Sequence, residues 1–326
     1  MTLVTGATGF VGSALVRQLL AEGAAVRIVR RETSALDLLG DAADRVEHAV
    51  GDVTDADSVY AAMEGAETVY HVAAMVAFAP HARERMRAAN VAGTAHVVDA
   101  ALEAGVGRLV HTSSIAALGR TVRPAAVIDE ATVWRLSPAN TAYAVSKRDA
   151  EREVQRGVAE GLDAVIVNPA VVFGPGRSGE GTVALAERVA AGRVPLAPPG
   201  STAVVDVEDV ATGLRLAHAR GATGERYVLA AETLSWAEVL GTLARATGAE
   251  PPRRTAPPWL LTAAGALAEV GAAVTRSEPA LTRATAQNAS ATYRYDGSKA
   301  TRDLGLSYRP FSETARRLAA SLGREW

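Results

Sequence analysis

The sequence predicts an α/β protein: a doubly wound parallel sheet followed by a smaller, mostly helical region. Three features carry that reading. Short β-branched runs alternate with amphipathic helical patterns through the first half of the chain, and such alternation calls for right-handed crossover units with helices on both faces of a parallel sheet. A glycine-rich turn joins the first run to the first helix. The rhythm breaks near Asn168, where Pro169, Gly174, Pro175, Gly176, Gly179 and Gly181 crowd one loop and punctuate the chain.

Strands are predicted at residues 2–5, 25–29, 46–50, 68–72, 108–112 and 164–168. Beyond the break, a second cluster of Pro195, Pro198, Pro199 and Gly200 precedes helices over 235–247, 259–274 and 313–322. Pro251, Pro252, Pro257 and Pro258 mark a linker between the first two of these. The chain therefore divides into residues 1–176 and 177–326, with some segments of the second part expected to return to the core sheet. Its 326 residues suit two domains, or one large domain with an appendage, at roughly 150 residues per domain.

Composition removes several function classes. Lys and Arg total 34 against 36 Asp and Glu, a net charge of −2, so there is no basic excess to neutralise a nucleic acid or an anionic membrane. Cysteine is absent, which excludes disulfide scaffolds, thiol catalysis and cysteine-ligated zinc, and suits a reducing cytoplasm. The six histidines are scattered and form no HExxH pair, so no metal site is expected. The first glycine motif begins at Gly6, leaving no room for a cleaved signal peptide. The longest apolar stretch, 259–274, is interrupted by Glu269 and falls short of the roughly 18 to 20 residues that span a bilayer. The expectation is a cytoplasmic protein with no integral span.

The segment Thr5-Gly6-Ala7-Thr8-Gly9-Phe10-Val11-Gly12 leaves the first strand and opens a helix. Gly6 can take a tight turn, Gly9 lets backbone amides approach a pyrophosphate, and Gly12 lets the helix pack closely on the sheet. The helix N-terminus then offers free N–H groups and its positive dipole end to the anion. Strand, loop and helix in this order point to a dinucleotide site of the Rossmann type in residues 1–176, with Gly6, Thr8, Gly9, Phe10, Val11 and Gly12 at the cofactor. Further along, Tyr143 and Lys147 stand at i and i+4, which puts a phenol and an ammonium on one helix face, about 5 to 6 Å apart at Cβ. A free phenol, with a pKa of about 10, exchanges protons poorly near neutrality, and a nearby ammonium favours its ionisation.

These motifs in this order resemble the extended branch of the short-chain dehydrogenase/reductase superfamily, the NAD-dependent epimerase/dehydratase group. The resemblance implies that Ser114, five residues before Gly119, joins Tyr143 and Lys147 as the catalytic set. It implies that Asp52 accepts from the adenine amino group and that Val53 packs on the ring, although Gly51-Asp52-Val53-Thr54-Asp55 also reads as a plain loop with a helix cap at Thr54 or Asp55. Val72, Ala73 and Ala74 after His71, then Asn90 and Thr112, are implied near the cofactor, with a buried hydrogen bond as the other reading of Asn90. Pro169, Val171 and Val172 are implied beside the nicotinamide, which Tyr143 and Lys147 also reach. Helices at 83–104 and 141–160 resemble the pair through which family members form a four-helix homodimer. The alternative is that both only cover the sheet, with Arg83, Glu84, Arg148, Asp149, Glu151 and Arg152 in water.

Cofactor choice turns on the second strand, which ends in Arg30-Arg31. An NAD enzyme offers an acid there, whereas a 2′-phosphate needs cations, so NADP is expected ahead of NAD. Arg30 is the first candidate because it stands where reductase-like relatives carry such an Arg, Arg31 is the second, and Glu32 is an alternative ribose ligand. Downstream, Val205-Asp206-Val207-Glu208-Asp209-Val210-Ala211 resembles the branch's VHVDDVA segment. Thr202, however, occupies the position where sugar-nucleotide epimerases carry the Arg that clamps a diphosphate, and losing a bidentate cation is a large change. The remainder is closest to dihydroflavonol-reductase-like and hopanoid-associated sugar epimerase-like members. The resemblance thus implies an NADP-dependent carbonyl reductase or alcohol dehydrogenase acting on a small ketone, aldehyde or secondary alcohol, with Tyr143 as the acid and base. A nucleotide-sugar epimerase or dehydratase using the same triad is the alternative, and a non-catalytic dinucleotide-binding regulator is a third reading.

Overall fold

The computed structural model describes residues 1–120, 127–137, 139–275 and 282–323. The chain runs through β1 (Thr2–Thr5), α1 (Phe10–Ala21), β2 (Val26–Arg30), β3 (Glu47–Val50), α2 (Ala56–Met63), β4 (Thr68–His71), α3 (Arg83–Arg87), α4 (Gly93–Glu103) and β5 (Arg108–Thr112). It continues with β6 (Val127–Ile128), α5 (Ala142–Ala159), β7 (Ala164–Pro169), β8 (Val171–Phe173), α6 (Gly181–Ala190), β9 (Leu196–Ala197), β10 (Ser201–Asp206), α7 (Val207–Arg220), β11 (Arg226–Leu229) and β12 (Glu232–Ser235). Then follow α8 (Trp236–Thr247), β13 (Arg254–Thr255), α9 (Pro258–Thr275), α10 (Arg283–Ser290), β14 (Arg294–Tyr295) and α11 (Phe311–Ser321).

Seven strands form one sheet in the order β3-β2-β1-β4-β5-β7-β11, with every neighbouring pair parallel. The six runs read from the sequence are all in it, their ends moved by at most one residue. Alternation along each strand sends successive side chains to opposite faces. Leu3, Val69 and Leu109 meet Val59, Met63, Val97, Val98 and Val154 from α2, α4 and α5. Val4, Ile28 and Val110 meet Leu15, Leu19, Val210 and Leu214 from α1 and α7. Each such fully buried aliphatic side chain contributes about 1.5–3 kcal/mol relative to exposure. Strand order reverses between β1 and β4, and the crevice beyond the carboxyl ends at that switch is where open α/β sheets bind ligands.

The helices expected near 235–247, 259–274 and 313–322 are α8, α9 and α11. Around them the structure adds strands, since β12, β10 and β8 form a small second sheet. The sequence gives no alternation by which to separate β10 from a loop, because five of its six residues are buried. A separate core joins Phe173, Val183, Val239, Leu243, Phe311 and Leu318, with the Phe173 and Phe311 rings edge-on and 5.0 Å apart at their centroids. Among the described residues, no helix is long and apolar enough to cross a membrane.

Candidate active site

The loop between β1 and α1 is shaped by backbone crowding. Gly6 has φ +68°, and a Cβ there would lie 2.5 Å from the Ala73 nitrogen beyond β4; a Cβ on Gly12 would strike the Gly6 carbonyl oxygen and the Ala7 backbone. Gly9 is the N-cap of α1, which has no side-chain cap and no acidic residue in its first turn. The first N–H groups and the positive dipole end are therefore free of a competing anion. A cradle that only glycine can line, at the switch point and below an uncapped helix, fits an anionic dinucleotide.

A chain of hydrogen bonds ties this loop to the catalytic helix. The Ala73 N–H donates to Thr5 Oγ1 at 3.2 Å, and Thr94 Oγ1 donates to the Asn90 carbonyl at 2.6 Å. That leaves Thr94 Oγ1 to accept from His71 Nε2 at 3.0 Å, and His71 Nδ1 to accept the Thr5 hydroxyl at 2.7 Å, so the tautomer of His71 is set by its neighbours. Burial pushes His71 down to about 3, and the Lys147 charge adds to the shift, so the ring is neutral. Asn90 sits in a π-helical turn, Ala88–Ala92, that interrupts the helix expected over 83–104. Its amide accepts from Met75 N at 2.7 Å and donates to Met75 O at 2.9 Å and to Ser146 Oγ at 3.0 Å. Ser146 Oγ donates in turn to the Tyr143 carbonyl at 2.8 Å. The buried hydrogen bond expected of Asn90 is thus present, as a hub that reaches the Tyr143 backbone through Ser146.

Ser114 and Tyr143 are brought together. Ser114 caps the short turn Ile115–Leu118, accepting from Ala116 N at 3.2 Å, while α5 begins at Ala142 behind the cap Thr141. Burial raises the Tyr143 phenol above its ordinary value, opposed by a hydrogen bond with Ser114 and by the Arg120 charge. Ser113 faces the other way, toward Glu151. Lys147, only 2% exposed, donates from Nζ to the Thr112 carbonyl at 2.8 Å, and burial lowers it to about 8 against the pull of Glu151. The expectation that Lys147 draws the phenol down is therefore not met in this structure: the net shift is upward, Ser114 and Arg120 oppose it, and the Lys147 ammonium is turned onto the end of β5.

Behind Lys147 lies a buried group, Glu151, which the alternative to the dimer reading places in water. Glu151, 2% exposed, accepts from Asn168 Nδ2 at 2.6 Å and faces Arg226 Nε at 3.3 Å, while Asn168 Nδ2 also donates to the Ser114 carbonyl at 3.0 Å. Burial raises the Glu151 carboxyl, and Arg226, Ser113, Asn168 and Lys147 all oppose that rise. The signal was present as a stripe of Tyr143, Lys147 and Glu151 at i, i+4 and i+8.

The other expected contacts surround the crevice. Thr8 and Val11 are half-buried at the loop, and the Phe10 ring packs against Gly176. Val72 and Ala73 are half-buried and Ala74 exposed just after β4. Pro169, Val171 and Val172 lie where β7 passes into β8. The Thr112 hydroxyl is buried without a partner. Beyond β3, Asp52 Oδ1 accepts from Thr54 N at 2.9 Å and Thr54 Oγ1 at 2.8 Å, and Val53 packs against Gly93. Arg30 donates from Nε to His48 Nδ1 at 2.8 Å, whereas Arg31 is exposed and lies 3.9 Å from Asp52 Oδ2. Among the described residues, no group of three or more His, Asp or Glu could hold a metal ion.

A parallel sheet in this order, a glycine cradle at its switch point, and a serine, tyrosine and lysine gathered beside it define a dinucleotide-dependent enzyme of the extended short-chain dehydrogenase/reductase type. The chain belongs to the NAD-dependent epimerase/dehydratase family, whose profile matches residues 2–230. It is 39% identical over 267 residues, 80% of this chain and 78% of that protein, to sterol demethylase protein B of Methylococcus capsulatus. It is 32% identical over 335 aligned positions, 98% of each chain, to 2-alkyl-3-oxoalkanoate reductase of Stenotrophomonas maltophilia. The solved structure of gox2253 matches with a TM-score of 0.84 and 33% identity, covering 98% of this chain and 97% of that one.

Proposed function

We propose that the protein is an NADP-dependent carbonyl reductase or alcohol dehydrogenase, in which Tyr143 exchanges a proton with the oxygen of a ketone, aldehyde or secondary alcohol. The observation that carries this reading is the pairing of the Ser114 hydroxyl with a Tyr143 phenol whose pKa is raised, so that a neutral acid stands ready to donate. When bound, the nicotinamide supplies the hydride that the carbonyl carbon receives, or takes it in the reverse direction. Ser114 holds the substrate oxygen, Tyr143 gives that oxygen its proton, and Lys147 binds the nicotinamide ribose. Fixed donors aimed at the developing oxyanion lower the barrier without reorganising. Residues 1–176 carry the cofactor side, and 177–326 shape the substrate side while lending β11 and α7 to the core.

Thr202 favours this reading over a nucleotide-sugar enzyme, because it is neutral and 8% exposed where a diphosphate clamp would need a cation. The test is a screen of ketones, aldehydes and sugar nucleotides by nicotinamide absorbance. It begins with 2-alkyl-3-oxoalkanoates, the compounds named for the Stenotrophomonas relative. Turnover of sugar nucleotides alone would overturn the proposal.

Two further expectations belong to it. Arg30→Ala weakens NADPH binding on the order of tenfold or more, as loss of a charge-assisted contact does, and leaves NADH binding nearly unchanged. Equal loss for both cofactors, or a wild-type preference for NADH, defeats the assignment. The second is a homodimer through α3, α4 and α5, of which α4 and α5 pack together on one face of the sheet and α3 lies against α5. Sedimentation should give a dimer at micromolar concentration, and a monomer there refutes it.

A further inference from the structure

We propose that Arg120 holds an anionic group of the substrate, so that the compound reduced or oxidised at Tyr143 carries a carboxylate or equivalent oxyanion close to the reacting carbon. The inference rests on the reading of Tyr143 as the proton donor, and it adds the chemical class of the substrate.

Position is the first argument. Arg120 follows the turn Ile115–Leu118 that Ser114 caps, and its backbone N–H donates to Asn140 Oδ1 at 3.0 Å, three residues before Tyr143. The residue is thereby pinned between the elements that supply the two catalytic hydroxyls. Its side chain crosses toward the C-terminal region, with the guanidinium carbon 5.5 Å from the centroid of the Tyr293 ring. Tyr293 is itself held to the start of β10, donating from N to Ser201 Oγ at 3.1 Å. An arginine stacked on an aromatic face keeps its planar fork of donors oriented.

Its partners are the second argument. Among the described residues Arg120 makes no ion pair, and its Nε is buried without an acceptor. Other arginines tied to buried carboxylates in this chain behave differently: Arg226 pairs with Glu151, Arg309 with Asp209, and Arg317 with Asp206. A buried N–H lacking an acceptor is costly to leave unmade. Trp134, whose ring lies 3.2 Å from where a Gly119 Cβ would stand, presents a second buried N–H with no acceptor. The loop around Gly119 thus carries two buried N–H donors without acceptors, and an acceptor-rich group would satisfy such donors. The nearest buried carboxylate of the catalytic network, Glu151, is already held by Asn168 and Arg226. The Arg120 charge also acts on the Tyr143 phenol, in keeping with its place between the two elements.

The test compares 3-hydroxyalkanoates of increasing chain length with their methyl esters, followed by nicotinamide absorbance with oxidised cofactor. The wild-type protein should prefer acids to esters. Arg120→Leu should lower kcat/KM for the acids on the order of 30-fold more than for the esters, as removal of a charge-assisted contact does, with the acid-specific part of the loss mainly in KM and any loss through Tyr143 shared by both. Arg120→Lys should restore part of the loss. The same acids are then titrated into the Tyr143→Phe protein with oxidised cofactor, with and without Arg120→Leu, so that binding is read without turnover. Absence of turnover for every carbonyl and alcohol would sink the proposed reaction, yet the titration would still decide on Arg120. Equal losses for acid and ester, with a shifted pH profile, would make Arg120 only an electrostatic neighbour of Tyr143 and overturn the proposal. So would acid binding that ignores Arg120→Leu, or a wild-type protein that prefers no acid over its ester.

Discussion

Tyr143→Phe should abolish measurable turnover, a loss on the order of 10²–10⁴-fold as expected when a positioned general acid is removed, while cofactor affinity stays near the wild-type value. The ring has packing that does not depend on the hydroxyl. It lies edge-on to Phe78, with centroids 6.2 Å apart, beside a small apolar cluster of Met75, Ala77, Ala82 and Met86. The hydrogen bond from Ser146 goes to the Tyr143 backbone carbonyl, so the hub at Asn90 survives the substitution. What disappears is one hydroxyl, bonded to Ser114 and held neutral by burial. Single-turnover kinetics beside a cofactor titration check this, and an undiminished rate would remove Tyr143 from the mechanism.

Much of this site was legible in the sequence because it depends on local order. The glycine loop can be read from spacing, since the turn at Gly6 and the start of α1 are adjacent in the chain, and the i, i+4 relation of Tyr143 and Lys147 is a property of any helix. What lay beyond reach depends on distant partners. Whether Glu151 faces water or core is decided by Asn168 on β7 and Arg226 at the start of β11, and β11 joins the sheet through a parallel pairing with β7. The π-turn that aims Asn90 at Met75 and Ser146 has no spacing signature, because hydrophobic periodicity runs on through it. Arg120 likewise reads as a polar loop residue until Asn140 and Tyr293 are brought beside it. The direction of the Tyr143 shift followed from the same blindness. Spacing places Lys147 on the right helix face but cannot show that the end of β5 claims its ammonium.

Lys147→Ala should damage both turnover and cofactor affinity, the affinity by ~10- to 100-fold for loss of a charged hydrogen-bond donor. Folding should survive, because the carboxylate that Lys147 helps to balance keeps its bond from Asn168 and its ion pair with Arg226. The pH dependence separates a charged lysine from a merely space-filling one. Burial lowers Lys147 from 10.5 to about 8 in the folded protein, so the ammonium is present below that value and is lost as pH rises through it. Cofactor affinity of the wild-type protein should therefore decline above about pH 8, and that of Lys147→Ala should be flat across the same range. Stability moves with the opposite sign. A cation whose folded pKa is depressed imposes its full burial cost below the folded value and is relieved of it as pH approaches the unfolded value. The wild-type protein should thus gain stability relative to Lys147→Ala between about pH 8 and 10.5, in the window where it loses cofactor. Paired titrations and thermal melts on both proteins measure the two trends, and if affinity in the variant matches wild type at every pH, Lys147 does not hold the cofactor.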